Sequence, residues 1–81
     1  MTELRVLGTS WCSDCARSKA LLDAHGVSYQ WIDIERDEAG AREVEARNNG
    51  ARVVPTIILA DGSVLVEPSD LELASALGIA L

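Results

Sequence analysis

Long apolar runs, internal repeats, low-complexity stretches and clustered basic residues are all missing from this chain of 81 residues. No run approaches the roughly 18 apolar residues of a membrane-spanning helix, and the longest candidate, Val53 to Ala60, is broken by Pro55, so no membrane contact is expected. Met1 to Gly8 sets Glu3 and Arg5 among its apolar positions and offers neither a basic n-region nor a long apolar h-region. No export signal is therefore read, and the expected location is the cytoplasm. Against 13 acidic residues stand 7 basic ones, and Arg5, Arg17, Arg36, Arg42, Arg47 and Arg52 are scattered along the chain. A net charge of -6 so distributed repels polyanions and excludes nucleic acid as a partner. Dividing so short a chain would leave two cores too small to stand alone, so one domain over residues 1–81 is expected.

Thiol and imidazole are scarce too: the chain has Cys12, Cys15 and His25. A stabilising cross-link works by removing loop entropy from the unfolded chain, and a Cys-x-x-Cys ring encloses too few residues to remove much. A closed zinc site needs four ligands. If a helix joins Cys15 to His25, a rise of about 1.5 Å per residue sets the imidazole roughly 15 Å away. Two chains pooling thiolates around an iron–sulfur cluster remain an alternative. The remaining reading is catalytic dithiol chemistry, which needs one easily ionised thiol and a second near enough to resolve a mixed disulfide. Two intervening residues supply that geometry if Cys12 opens a helix, where unpaired amides favour its thiolate and Cys15 lies one turn further in.

The surrounding pattern provides that context. Leu4 to Leu7 reads as a strand ending at Gly8, with Thr9 and Ser10 as a loop before Trp11 and Cys12. Good helix formers run from Ser13 to His25, with Ala16, Ala20 and Ala24 as one stripe and Gly26 as the stop. Ser28 to Ile34 is rich in strand formers, and Asp37 to Asn48 carries Ala41, Val44 and Asn48 at helical spacing. Thr56 to Ala60 and Ser63 to Val66 flank Asp61-Gly62, the signal for a two-residue hairpin, with Pro55 placed before the strand because it cannot donate to a ladder. Ser69 and Glu72 form a capping box ahead of Leu73, Leu77 and Leu81, so a closing helix is predicted. The order βαβαββα predicts an α/β fold with one four-stranded mixed sheet flanked by three helices.

Three segments in this order resemble the glutaredoxin family: Trp11-Cys12-Ser13-Asp14-Cys15, then Asn49-Gly50-Ala51-Arg52-Val53-Val54-Pro55-Thr56, then Asp61-Gly62-Ser63. The likeness covers essentially the whole chain and is greatest to the mycoredoxin branch. It implies a thioredoxin-like fold, a cis Val54-Pro55 peptide beside the redox pair, and a Val54 backbone that pairs with the thiol co-substrate. Further thiol-binding positions implied by the resemblance are Trp11, Asp14, Arg52, Pro55, Ser69 and Asp70. Many glutathione-using relatives carry lysine at the position of Thr9 and an acidic pair at Ser69-Asp70, so the departures lean toward mycothiol, which lacks glutathione's two carboxylates. Val66-Glu67-Pro68-Ser69 does not match the segment of relatives recycled by thioredoxin reductase. Asp14, where relatives often have a neutral residue, would oppose the Cys12 thiolate or act as a solvated first-turn acid.

Single residues carry two readings each. Trp11 shapes the partner-facing surface or fills space beside the first helix; Arg52 pairs with an anionic partner group or is a solvated loop charge. Lys19 supports an adjacent thiolate or, the preferred reading, is a helix-surface charge; Tyr29 and Trp31 are strand packing in preference to a binding platform, and His25 is read as a helix-end residue. The expected activity is reduction of mixed disulfides between proteins and a low-molecular-weight thiol, mycothiol or glutathione. A monomer would use Cys12 as nucleophile and Cys15 as resolving thiol, with electrons from an NADPH-dependent reductase and no bound cofactor. A dithiol donor recycled by thioredoxin reductase and a cluster-delivery module are the alternatives.

Overall fold

The computed structural model describes residues 3–81; Met1 and Thr2, the start of the segment read for a leader, lie outside the described residues. Its elements are β1 (Arg5–Gly8), α1 (Ser13–Ala24), β2 (Gln30–Asp33), α2 (Glu38–Arg47), β3 (Thr56–Ile58), β4 (Val64–Val66) and α3 (Asp70–Leu77), the order βαβαββα that the sequence predicts. The strands lie in the order β2-β1-β3-β4, with β1 and β2 parallel and the other two pairings antiparallel. Among the described residues no helix is long and apolar enough to cross a membrane.

Period-two alternation along the central strands divides the core into two layers. Leu4, Val6, Ile57 and Leu59 meet Leu22 of α1 and Leu73 of α3, while Leu7, Ile34 and Ile58 meet Ala41 and Val44 of α2. Both sheet faces are thereby covered. The α2 layer also holds a bidentate ion pair, Arg5 to Glu43, with N–O distances of 2.7 and 2.8 Å; this guanidinium holds the Glu43 carboxyl below its ordinary range.

The alanine stripe of α1 faces solvent, and the buried stripe is Cys15, Ser18 and Leu22, which a count of apolar residues misses because two of its members are a thiol and a hydroxyl. Two sequence expectations are corrected. The β3–β4 connection is not a two-residue hairpin. Leu59 N–H donates to Ser63 O at 2.8 Å, leaving Ala60, Asp61 and Gly62 as the loop, with Gly62 at φ 91, where only glycine sits without strain. The capping box of Ser69 and Glu72 is present, but the helix stops at Leu77 against a left-handed Gly78, and Leu81 is exposed beyond it.

Candidate active site

The chain leaves β1 at Gly8, turns through Thr9 to Trp11 and enters α1 with Cys12 as its N-cap in extended conformation. The Cys15 N–H donates to Cys12 Sγ at 3.1 Å, so the sulfur itself takes the role a serine or aspartate oxygen has at other helix starts. Cys12 is half-buried and Cys15 fully buried; both are free thiols. Burial pushes the Cys15 thiol up to about 12, helped by its hydrogen bond with Cys12 and the neighbouring charge there. A Thr9 backbone hydrogen bond and Lys19 act in the opposite direction. At neutral pH Cys15 is therefore protonated, and Cys12 is the sulfur both reachable and oriented by an amide.

Cys15 fits because residue 8 has no side chain. A Cβ on Gly8 would stand 2.4 Å from Cys15 Sγ and 3.1 Å from the Trp31 ring. Trp31 is half-buried against the α1 and α3 layer, as strand packing, and Lys19 Nζ lies 3.7 Å from its ring centroid, so Lys19 makes a cation–π contact. Tyr29 likewise packs against that layer and donates its hydroxyl to Asp23.

The Val54-Pro55 peptide is cis. The Cys12 thiol donates to Val54 O at 3.9 Å, which puts this turn directly over the accessible sulfur. The turn is anchored from behind. Asn48 Nδ2 donates to Val44 O at 2.7 Å and to Thr56 Oγ1 at 3.2 Å, and Thr56 donates in turn to Val53 O at 2.8 Å. A fully buried hydroxyl and a helix-end amide thus fix the backbone at Val53, one residue from the sulfur contact.

The other expected binding residues fall on two flanks of this centre. On the α3 flank, Arg17 donates to Asp14 Oδ1 at 3.1 Å and to Pro68 O at 3.2 Å, with its Nε 3.4 Å from Asp70 Oδ1. Asp14 and Asp70 are thereby paired with one guanidinium, and the Ser69 hydroxyl accepts from Glu72 N. On the α2 flank, Trp11 is 70% exposed, which rules out the space-filling reading, and its Nε1 donates to Glu35 Oε2 at 3.1 Å. Arg52 donates to Glu45 Oε2 at 2.8 Å. Thr9 is buried, and its hydroxyl has no hydrogen-bond partner among the described residues.

Residues the sequence reading did not single out are Gly8, Arg17, Glu35, Asn48 and Thr56. The spacing of Asp14 and Arg17 was a visible signal, since side chains three apart on a helix are neighbours. The link of Trp11 to Glu35 spans 24 positions and has no local signature.

One accessible sulfur at a helix start, a protonated partner one turn on and a cis-proline turn above them make a dithiol redox centre on a thioredoxin-like fold. The glutaredoxin family model matches residues 4–65. Putative glutaredoxin Rv3198A of Mycobacterium tuberculosis is 46% identical over 66 residues, covering 82% of this chain and 79% of that protein. Mycoredoxin 1 of Corynebacterium glutamicum is 34% identical over 68 residues, covering 84% of each. The crystal structure of a mutant of the thioredoxin-like protein BC3987 superposes with a TM-score of 0.86 at 24% identity, over 99% of this chain and 100% of that one. The chain belongs to the glutaredoxin family. It is a thiol–disulfide oxidoreductase.

Proposed function

We propose that the protein reduces mixed disulfides between protein cysteines and a low-molecular-weight thiol, with mycothiol preferred to glutathione. The observation that carries this reading is the contrast between its sulfurs: Cys12 accessible, amide-oriented and under Val54, Cys15 buried and protonated. The Cys12 thiolate attacks the small thiol's sulfur, forming a Cys12 mixed disulfide and breaking the bond to the protein, which leaves as a thiolate and takes up a proton. A second small-thiol anion then attacks that sulfur, expelling the Cys12 thiolate and leaving a small-thiol disulfide for an NADPH-dependent reductase to reduce. Cys15 offers a second exit, attacking Cys12 Sγ and expelling the small thiol. Two of the causes that raise the Cys15 thiol depend on Cys12 and disappear once Cys12 is in a disulfide, while burial, the largest, persists. One copy of the chain carries every protein group these steps use.

Several observations favour mycothiol. Thr9 is buried and uncharged, and Ser69 is engaged in its capping box, so the positions at which many glutathione-using relatives carry lysine and the first of an acidic pair offer no charge to a glutathione end group; the Asp70 carboxylate that remains lies 3.4 Å from Arg17. The name of the Corynebacterium relative points the same way. An NADPH-coupled assay with mycothiol, glutathione or thioredoxin reductase as the electron source tests the reading. Turnover is expected with mycothiol, to be lost in Cys12→Ser and retained in Cys15→Ser; an active Cys12→Ser would remove the mechanism.

A further inference from the structure

The two flanks of Cys12 differ in how their charge is balanced. Around an open cavity between Glu35 and Arg52 on the α2 flank, the lining sets two carboxylates, Glu35 and Glu38, against two guanidinium groups, Arg36 and Arg52. On the α3 flank two carboxylates, Asp14 and Asp70, share the single guanidinium of Arg17. Glu67 and Glu72 add negative charge there, with no basic partner among the described residues. Among those residues no other basic side chain takes carboxylates from two elements.

Asp14 is the residue for which this matters most. It stands between the two cysteines in the first turn of α1, where unpaired amides favour negative charge. A Cys12 thiolate and an anion approaching it draw on that same positive end, so a carboxylate left free there opposes both. Arg17, three residues on, donates to Asp14 Oδ1 at 3.1 Å. Asp70 adds a second demand: its Oδ1 is buried and accepts no hydrogen bond among the described residues, so the Arg17 charge 3.4 Å away is what compensates it. The third contact, to Pro68 O at 3.2 Å, seats the guanidinium on the turn whose Glu67 N–H donates to Pro55 O at 2.9 Å. One side chain thus touches the redox turn, the start of α3 and the segment tied to the cis proline.

We propose that Arg17 is a positioning residue of disulfide exchange: it offsets the Asp14 and Asp70 charge beside the approach to Cys12, and thereby sets how well the site takes a partner that is anionic around its sulfur. The proposal rests on Cys12 as the attacking sulfur and is independent of which small thiol is used. Arg17 takes part in no bond that forms or breaks. It acts on the field through which a disulfide or a thiolate arrives, and so on a protein partner as much as on a small one.

The test compares a neutral and an anionic reagent at the same sulfur: second-order rates of Cys12 alkylation by iodoacetamide and by iodoacetate, in the reduced full chain at one pH, with the labelled residue identified by mass spectrometry. The ratio of the two rates cancels the ionised fraction of Cys12, and a merely loosened fold admits both reagents alike. In about 0.01 M salt, where charges act over roughly 30 Å, Arg17→Ala should lower the iodoacetate-to-iodoacetamide ratio by about threefold or more, and about 1 M salt should erase the difference. Arg17→Lys, which keeps the charge, should hold the ratio within about twofold of the wild type, and adding Asp14→Asn to Arg17→Ala should recover at least about half of the loss. Arg47→Ala, the same charge change at an ion pair on α2, should leave the ratio within about 1.5-fold. An unchanged ratio in Arg17→Ala, a loss that Asp14→Asn does not recover, or one that persists in high salt overturns the proposal while disulfide reduction stands. A wild type whose Cys12 takes neither reagent removes the nucleophile, and with it both the functional reading and this one.

Discussion

Replacing Gly8 with alanine tests how tightly the redox pair is built into the sheet. The new Cβ would stand 2.4 Å from Cys15 Sγ and 3.1 and 3.2 Å from two atoms of the Trp31 ring, where ordinary contacts between carbons are about 3.5–4.0 Å. Relief needs about 1 Å of movement by Cys15, and Cys15 sits in the first turn of α1, the turn whose amide orients Cys12. Overpacking of this size costs about 1–3 kcal/mol. In a domain of this length each kcal/mol lowers Tm by roughly 4–8 °C. Urea unfolding of the fully reduced protein gives the free energy, and a double-mutant cycle with Cys15→Ala isolates its source. With the sulfur gone, the cost of Gly8→Ala should fall by at least about 1 kcal/mol, the remainder belonging to Trp31. Additivity of the two substitutions within about 0.5 kcal/mol would falsify the claim that residue 8 is held to glycine by Cys15.

Other expectations follow from the same physics. Iodoacetamide at neutral pH should label Cys12 and spare the buried, protonated Cys15 in the folded protein, and equal labelling by mass spectrometry would refute this. Because the Cys15 thiol is pushed from an ordinary 9.0 up to about 12, the unfolded chain binds fewer protons between those values; stability should fall there by roughly 1.4 kcal/mol per pH unit, and Cys15→Ser should flatten the curve. Glu43 behaves oppositely: its lowered carboxyl contributes stability above its ordinary 4.5, lost as pH falls through the folded value. Glu43→Gln should therefore cost about 1 kcal/mol at pH 7 and nothing once both states are protonated, as read from urea midpoints. Thr56→Val leaves Val53 O and the Asn48 amide short of a partner, for about 1–3 kcal/mol, and should slow Cys12 turnover by loosening the turn above it; unchanged kcat/KM would separate stability from positioning.

What could be read from sequence was local. The capping box at Ser69 and Glu72 and the helix start at Cys12 are set by neighbours three residues apart, and both are present. Asp61-Gly62 was recognised as a turn, yet its length depends on which residues close the ladder; the Asp61 carboxylate accepting from Ser63 N–H accompanies the longer loop. The buried stripe of α1 escaped a hydrophobic count because Cys15 and Ser18 occupy it. In the site, the two sulfurs and the proline turn were legible as motifs. The bridge from Arg17 to Pro68 and the cavity between Glu35 and Arg52 join residues far apart in the chain, and only the packed fold brings them together.

The sheet's two borders bear on colloidal behaviour. A protein that must leave an indole and a reactive sulfur uncovered risks adhering to its own copies, and unpaired strand edges are the usual template for such growth. Here the β4 border runs only from Val64 to Val66 and is ended by Glu67 at φ 47, a kink that carries a charge. The β2 border is no longer than Gln30 to Asp33 and ends in an acid. Brevity, bending and like charge at both margins leave little on which a fibril could start.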